Sequence, residues 1–311
     1  MKLSIIIVSY NNAATIGDCL KSIFDYLPDS SLEVFVVDNA SVDGTMEIVK
    51  NFSQVRPIKN HQNLGFAKAN NQAIKKSAGE YILLLNADAK LTPGSVEGMV
   101  SFMDSNRKVG ILGPKLLFPS GGVQEEVTLF PTLAPMVAWL LRLHRFSFFR
   151  RLWPLSAYLC KGMNYGKTQE VDHLMGSALL IRRKVFDEIG LLDEDFFFWF
   201  EETDFCKRAK EAGWKVVYYP NAEVMHLVGS STRRFSPFKI QNLWNRSLIT
   251  YFKKHGRPWE VWILRLFFPA SYLAALVAWV GKRLMICSWR SNTSKVNKAN
   301  KISNSNTFTT D

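Results

Sequence analysis

Cysteine is scarce: four in 311 residues, at positions 19, 160, 206 and 287. No two stand in a CxxC pair, so a zinc ribbon and a dithiol redox motif are both excluded. The four read as reduced thiols that fill core. Glycine is missing from the loop after the first apolar run, Ser9-Tyr10-Asn11-Asn12-Ala13. That rules out the G-x-G-x-x-G turn, which carries a helix N-terminus onto a pyrophosphate, and no G-x-x-x-x-G-K-[ST] loop occurs either. The N-terminus runs straight into a strand pattern without a long apolar region and small-residue cleavage site, so no secretory signal is read. Acid is short, 27 residues against 39 basic, for a formal charge of +12. The excess suits phosphate-bearing partners, whether nucleic acid, anionic lipid or a nucleotide, without choosing among them.

What is present is an apolar fraction of 47%, enough for a large core, arranged as alternating strands and helices. Leu3 to Val8, Val34 to Val37 and Tyr81 to Leu85 are short apolar runs, as strands buried on both faces require, and Val55 to Ile58 is read as a further strand. Helical spacing follows the first run at Ile16, Leu20, Ile23 and Phe24, with Thr15 and Asp18 resembling a capping box. Thr92-Pro93 is expected to open another helix, and Val216 to Tyr219 a short strand stopped by Pro220. Alternation of this kind implies parallel strands with right-handed crossovers, and such sheets bind ligands beyond the strands' carboxyl ends. Ser9-Tyr10-Asn11, Asp38-Asn39 and Asn86-Ala87-Asp88 are therefore expected on one rim. With no glycine loop, a diphosphate there needs a divalent cation on a carboxylate, and Asp88 is the natural ligand.

Three further regions stand out. Residues 129–170 carry many aromatics and arginines, including Trp139, Arg142, Phe148, Arg150 and Trp153, and read as a membrane-facing or acceptor-facing insert, or as an ordinary amphipathic excursion. Glu201, Glu202 and Asp204 begin a helix that ends in Lys207, Arg208 and Lys210; by themselves they also suit the helix dipole. Val261 to Val280 is almost wholly apolar, broken by Arg265 and Pro269, and has basic flanks on both sides. Two-sided positive charge favours a helix or hairpin lying in a membrane interface over a simple crossing. Residues 291–311 are rich in Asn, Ser, Thr and Lys and read as a disordered tail.

Several segments, in order, resemble the family-two glycosyltransferases of GT-A fold. They are Ser4-Ile5-Ile6-Ile7-Val8-Ser9-Tyr10-Asn11, Val36-Val37-Asp38-Asn39-Ala40-Ser41-Val42-Asp43-Gly44-Thr45, Asn63-Leu64-Gly65-Phe66-Ala67 and Leu84-Leu85-Asn86-Ala87-Asp88. Gly176-Ser177-Ala178-Leu179-Leu180-Ile181-Arg182-Arg183, Phe200-Glu201-Glu202-Thr203-Asp204-Phe205-Cys206, Gly213-Trp214-Lys215-Val216 and His226 complete the set. Each is weak alone; the ordered series is specific and is most similar to rhamnosyltransferase-type enzymes.

The resemblance implies an α/β fold with a mostly parallel central sheet and flanking helices over residues 1–235; the apolar run and its basic flanks make 236–290 a membrane-associating helical segment. The resemblance also implies an inverting sugar transfer from a nucleotide-diphosphate donor to a lipid-linked or polysaccharide acceptor, at the cytoplasmic face of the cell membrane, with Mg or Mn as cofactor. Ser9, Tyr10 and Asn11 would line the base pocket, Asp38 would accept from a pyrimidine N–H, and Asn63, Gly65 and Phe66 would flank the nucleotide. Trp214 joins the substrate-contacting set. Asn86-Ala87-Asp88 stands in place of the D-x-D motif, leaving Asp88 as the main metal ligand, with His226 completing the shell. Glu202 occupies the place of the base, ahead of Asp204 and Glu201. A metal-dependent nucleotidyltransferase and a non-catalytic membrane-attached glycan-binding relative are the competing classes; nucleic-acid binding is disfavoured because no aromatic-studded sheet motif accompanies the charge.

Overall fold

The computed structural model describes residues 2–27, 32–125, 127–227 and 235–279. Four apolar runs become the parallel strands β1 (Leu3–Ser9), β2 (Leu32–Asp38), β3 (Val55–Lys59) and β4 (Tyr81–Asn86). Between them lie helices α1 (Ile16–Tyr26), α2 (Thr45–Val49) and α3 (Phe66–Ile74). Each crossover returns the chain to the same end of the sheet, so Ser9, Asp38 and Asn86 fall on one rim.

The second half of the sheet departs from pure parallel order. β5 (Ala89–Leu91), helix α4 (Ser95–Ser105), β6 (Val109–Leu117), β7 (Gln169–Glu170), β8 (Ala178–Arg182) and β9 (Lys215–His226) give the strand order 3-2-1-4-8-6-9-5, with β7 against β9. β8 runs antiparallel to both β4 and β6, so it starts at the rim where β4 ends. β9 is parallel to β6 and carries His226 to the rim; β5 pairs back on it, with Ala89 opposite His226.

Three local expectations are corrected. Thr15 precedes α1 without a side-chain cap: the backbone N–H groups of Thr15 and Ile16 donate to Asn12 O, and Asp18 instead pairs with Lys90. α4 begins at Ser95 rather than Thr92, because left-handed Gly94 takes the cap position and the Thr92 hydroxyl donates to Glu223 O. β9 continues through Pro220, where the register with β6 shifts between Pro114 and Lys115; a bulge accepts a residue with no N–H to donate.

The insert folds as α5 (Leu133–Leu140), a 3-10 turn at Leu143–Arg145 and the short helices α6 (Ser147–Arg150) and α7 (Leu155–Tyr158). After β8 come α8 (Arg183–Ile189) and α9 (Glu201–Glu211), and β9 leads on to α10 (Pro237–His255) and α11 (Pro258–Leu266). Two cores sandwich the sheet, one on each face. A third joins Met136 and Leu140 of α5, Phe196 and Phe200 before α9, Leu248 and Phe252 of α10, and Val261 and Leu264 of α11. Of the helix or hairpin expected over 261–280, the described part is a pair of helices, Pro258–Leu266 and Phe268–Trp279, bent by 43°. Among the described residues no single helix is long and apolar enough to cross a membrane; the bent pair passes that test jointly, by length and composition. The expected tail, 291–311, lies outside the described residues.

Candidate active site

The rim is laced together by loop side chains. Asn11 N donates to Ser41 Oγ and its Oδ1 accepts from Val42 N, while Asn12 N and Ala13 N donate to Thr45 Oγ1 and Asp43 Oδ2. Asn11 and Ala40 adopt positive φ, 57° and 63°, so the two loops turn sharply at the strand ends. The side chains of Ser9 and Asn11 are thus spent on holding loops: Ser9 is fully buried, with Oγ 3.4 Å from Asn12 Oδ1. Asp38 is buried too. Its Oδ2 accepts from Ser41 N at 3.1 Å, and its Oδ1 has no hydrogen-bond partner. A buried carboxylate oxygen without a donor is a standing cost that a ligand N–H removes.

Beside Asp38 lies an open cleft of about 570 Å3, lined by Tyr10, Asn39, Asn63, Gly65, Phe66 and Asn86 among others. Gly65 shapes its floor. Asn63 Oδ1 accepts from Gly65 N, Asn39 Nδ2 donates to Gly65 O, and Phe66 N donates to Phe197 O. Gly65 has φ of 86°, and a Cβ there would lie 2.5 Å from Phe197 O, so only glycine fits.

Asp88 and His226 meet across the β5–β9 ladder, with Asp88 Oδ1 3.4 Å from His226 Nε2 and both side chains buried. Asn86 Nδ2 stands 3.4 Å from the same nitrogen. Gln124 orients the ring. Its amide nitrogen donates to Leu117 O and His226 O, which leaves Oε1, 3.0 Å from His226 Nδ1, to accept the ring proton. That assigns the tautomer with Nε2 unprotonated and turned towards Asp88, as a metal-binding histidine needs. Among the described residues no group of three His, Cys, Asp or Glu side chains could hold a metal by protein ligands alone. One hard carboxylate donor and one borderline imidazole nitrogen, side by side at the rim, nevertheless suit a divalent cation such as Mn whose other ligands come from a diphosphate. Gln124 was not expected from the sequence: it lies 102 residues from His226 and no local pattern links them.

Of the α9 acids, Glu202 approaches the cleft lining through Gly176. Gly176 and Ser177, just before β8, form the bridge: Asn86 N donates to Ser177 O, while a Cβ on Gly176 would sit 3.7 Å from Phe66 and 3.8 Å from Glu202. Glu202 thus stands one glycine away from Phe66 of the cleft lining, and Asp88 two residues beyond Asn86 of the same lining. Trp199 and Phe200 hold positive φ, 67° and 70°, and turn the chain into α9. That strain is offset by packing of Phe200 on Trp244 and Tyr251 and by Ser247 Oγ donating to Phe198 O.

The three acids differ. Burial and the neighbouring Glu202 push the Glu201 carboxyl well above the usual carboxylate range. Burial also works against charge on Asp204, but His255 Nε2 at 2.7 Å and Arg208 Nε at 2.8 Å outweigh it and hold that carboxyl below its usual value. Glu202 is the acid left for chemistry, with His173 Nε2 3.9 Å away. Trp214 is placed elsewhere. It precedes the N-terminal end of β9, at the edge of the sheet opposite the rim, packs over Gly110 and donates its indole N–H to Glu188 at 2.7 Å. The motif glycine and tryptophan there end α9 and start a strand, which is a structural role.

A mixed sheet with polar loops at the carboxyl ends of its parallel strands, and Asp88 beside His226 on that rim, has the architecture of a glycosyltransferase of GT-A fold. The chain belongs to glycosyl transferase family 2, whose family profile matches residues 4–190. A relative from Mycobacterium tuberculosis strain H37Rv, N-acetylglucosaminyl-diphospho-decaprenol L-rhamnosyltransferase, is 28% identical over 282 residues, covering 85% of this chain and 89% of its own length. Among solved structures, the mannosyltransferase PcManGT from Pyrobaculum calidifontis in complex with GDP-Man and Mn2+ superposes with a TM-score of 0.56 at 16% identity, covering 95% of this chain and 80% of the other. GalNAc-T7 with UDP, GalNAc and Mn2+ gives 0.59 at 15% identity; the match spans 80% of this chain and about half, 48%, of that one. At these identities the solved structures speak for the fold.

Proposed function

We propose that this chain is an inverting, metal-dependent glycosyltransferase that moves a deoxyhexose such as rhamnose, or a hexose, from a pyrimidine nucleotide-diphosphate donor to a lipid-linked glycan. The observation that carries the reading is the Asp88–His226 pair at the rim, next to the cleft lined by Tyr10, Phe66 and Asn86, with Gly176 linking that lining to Glu202. Asp38 would accept from the imide N–H of the base through its unpartnered Oδ1, and Tyr10 and Phe66 would bracket the nucleotide. Asp88 and His226 would hold Mg or Mn, which offsets charge on the departing diphosphate when bound. Glu202 would take the acceptor's hydroxyl proton as that oxygen attacks the anomeric carbon from the opposite face. The reach of the sequence match along the mycobacterial relative supports a lipid-diphosphate-linked acceptor.

A membrane surface belongs to the same proposal, with the enzyme at the cytoplasmic face of the cell membrane. Trp262 and Leu266 of α11 and Leu273 and Val277 beyond the bend are 63–77% exposed, and Phe146, Phe148 and Trp153 of the insert are exposed as well. Arg150 and Arg151 accompany them, the pairing of aromatic and cationic side chains that suits an interface. The test is a panel of nucleotide-sugars, dTDP-rhamnose and UDP-sugars first, assayed with and without chelator and with a lipid-linked N-acetylglucosamine acceptor. Metal-dependent transfer from one donor with inverted anomeric configuration is the expected result; chelator-insensitive turnover or retained configuration overturns the reading.

A further inference from the structure

His173 follows β7 and is buried, with its backbone bridged antiparallel to Thr128 at the edge of the insert. Thr128 Oγ1 lies 2.8 Å from His173 Nδ1. The other ring nitrogen, Nε2, is buried with no hydrogen-bond partner and points at Glu202, whose Oε1 is 3.9 Å away. The second oxygen of the same carboxylate, Glu202 Oε2, is likewise buried without a partner. A ring nitrogen and a carboxylate that each carry an unsatisfied atom therefore stand side by side. The separation exceeds a hydrogen bond by under an ångström, a distance that one side-chain rotation closes. A threonine hydroxyl can donate or accept. Donating to Nδ1, it leaves the ring proton on Nε2, directed at the carboxylate.

We propose that His173 is a positioning residue for the reaction: its Nε2–H, fixed by Thr128, grips one oxygen of Glu202 and aims the other at the acceptor hydroxyl. This rests on Glu202 being the base. The hydroxyl proton passes to Glu202, the acceptor oxygen bonds to the anomeric carbon, and the sugar–diphosphate bond breaks with its electron pair leaving on the diphosphate; His173 keeps its own proton throughout. The groups around Glu202 make the histidine matter. Glu201 adjoins it on α9, Cys206 lies one turn further along, and Tyr158 approaches from the insert. Among the described residues no lysine or arginine forms an ion pair with Glu202, which leaves the His173 ring as the group that faces its carboxylate.

The experiment compares wild type, His173→Leu, His173→Gln and Glu202→Gln in a transfer assay across pH at saturating donor, with donor KM and metal-dependent donor hydrolysis measured alongside. Leucine at 173 is expected to lower kcat about 10- to 100-fold at neutral pH, as loss of a supporting partner does, and to move the acidic limb of the kcat profile to higher pH. Donor KM and donor hydrolysis stay within about twofold. Glutamine, which retains an N–H at the same reach, is expected to recover most of the rate and the original limb. The proposal is overturned if the limb stays in place, if hydrolysis and KM change in step with kcat, or if glutamine is no better than leucine. Should the leucine variant fail to fold, the position of the glutamine variant's acidic limb decides alone: a wild-type limb with near-wild-type rate supports the role, and lost rate at every pH refutes it. If Glu202→Gln still transfers sugar, the base is misassigned and His173 falls with it. If that variant is inactive while the His173 profiles do not move, the positioning role alone is lost.

Discussion

Glu201, Glu202 and Asp204 lie within the first four positions of α9 yet meet three different surroundings. Glu202→Gln is expected to keep donor binding and to lose about 10²- to 10⁴-fold in transfer, the usual worth of a positioned base; retained transfer measured against wild type would move the base elsewhere. Asp88→Ala should abolish metal-dependent donor hydrolysis while leaving the fold intact by circular dichroism, and unchanged hydrolysis would refute its role. Asp204 is a structural acid. Breaking its buried contacts with His255 and Arg208 by Asp204→Asn is expected to cost about 3–5 kcal/mol at neutral pH. Because folding lowers this carboxyl, its contribution is fully present above the unfolded value of 3.8 and fades as pH falls through the lower folded value. Melting curves of variant and wild type should therefore converge on acidification, and a gap independent of pH would refute the assignment.

At the scale of elements, the loop at Asn63–Phe66 shows how backbone geometry builds the donor cleft. Gly65→Ala places a methyl within 2.5 Å of a carbonyl oxygen in a left-handed conformation. It is expected to cost about 1–3 kcal/mol in denaturant titration and to weaken donor binding; wild-type donor affinity would show that the cleft tolerates the shift. The strands that end in Ser9, Asp38 and Asn86 were legible because continuous apolar runs stop abruptly at polar residues. The place of His226 beside Asp88 was not legible from spacing: it depends on β5 turning back against β9, an antiparallel pairing across more than a hundred residues. The start of α4 was misread because Thr92-Pro93 imitates a helix start while Gly94 supplies the real cap. Trp214 was assigned to the substrate by motif order alone, and the parallel pairing of β9 with β6 carries it to the far edge.

For the whole molecule, the division of the chain into a transferase part and a trailing apolar part hides a shared interior. Val261 and Leu264 pack with Phe200, so the outward faces of α11 and the segment beyond it, rather than their presence, are what a membrane can use. Replacing Trp262 and Leu266 by Ser and Gln should leave soluble-acceptor activity unchanged and lower co-sedimentation with anionic vesicles several-fold; undiminished sedimentation would remove the membrane from the proposal. The third core has a further consequence for anyone recombining relatives. A chimera that joins residues 1–227 to a foreign tail would inherit an intact nucleotide half, yet the helix bearing Glu202 would rest on a floor cut for another sequence. Exchanging the segment after residue 227 thus also changes what Phe200, at the start of the helix that bears Glu202, packs against.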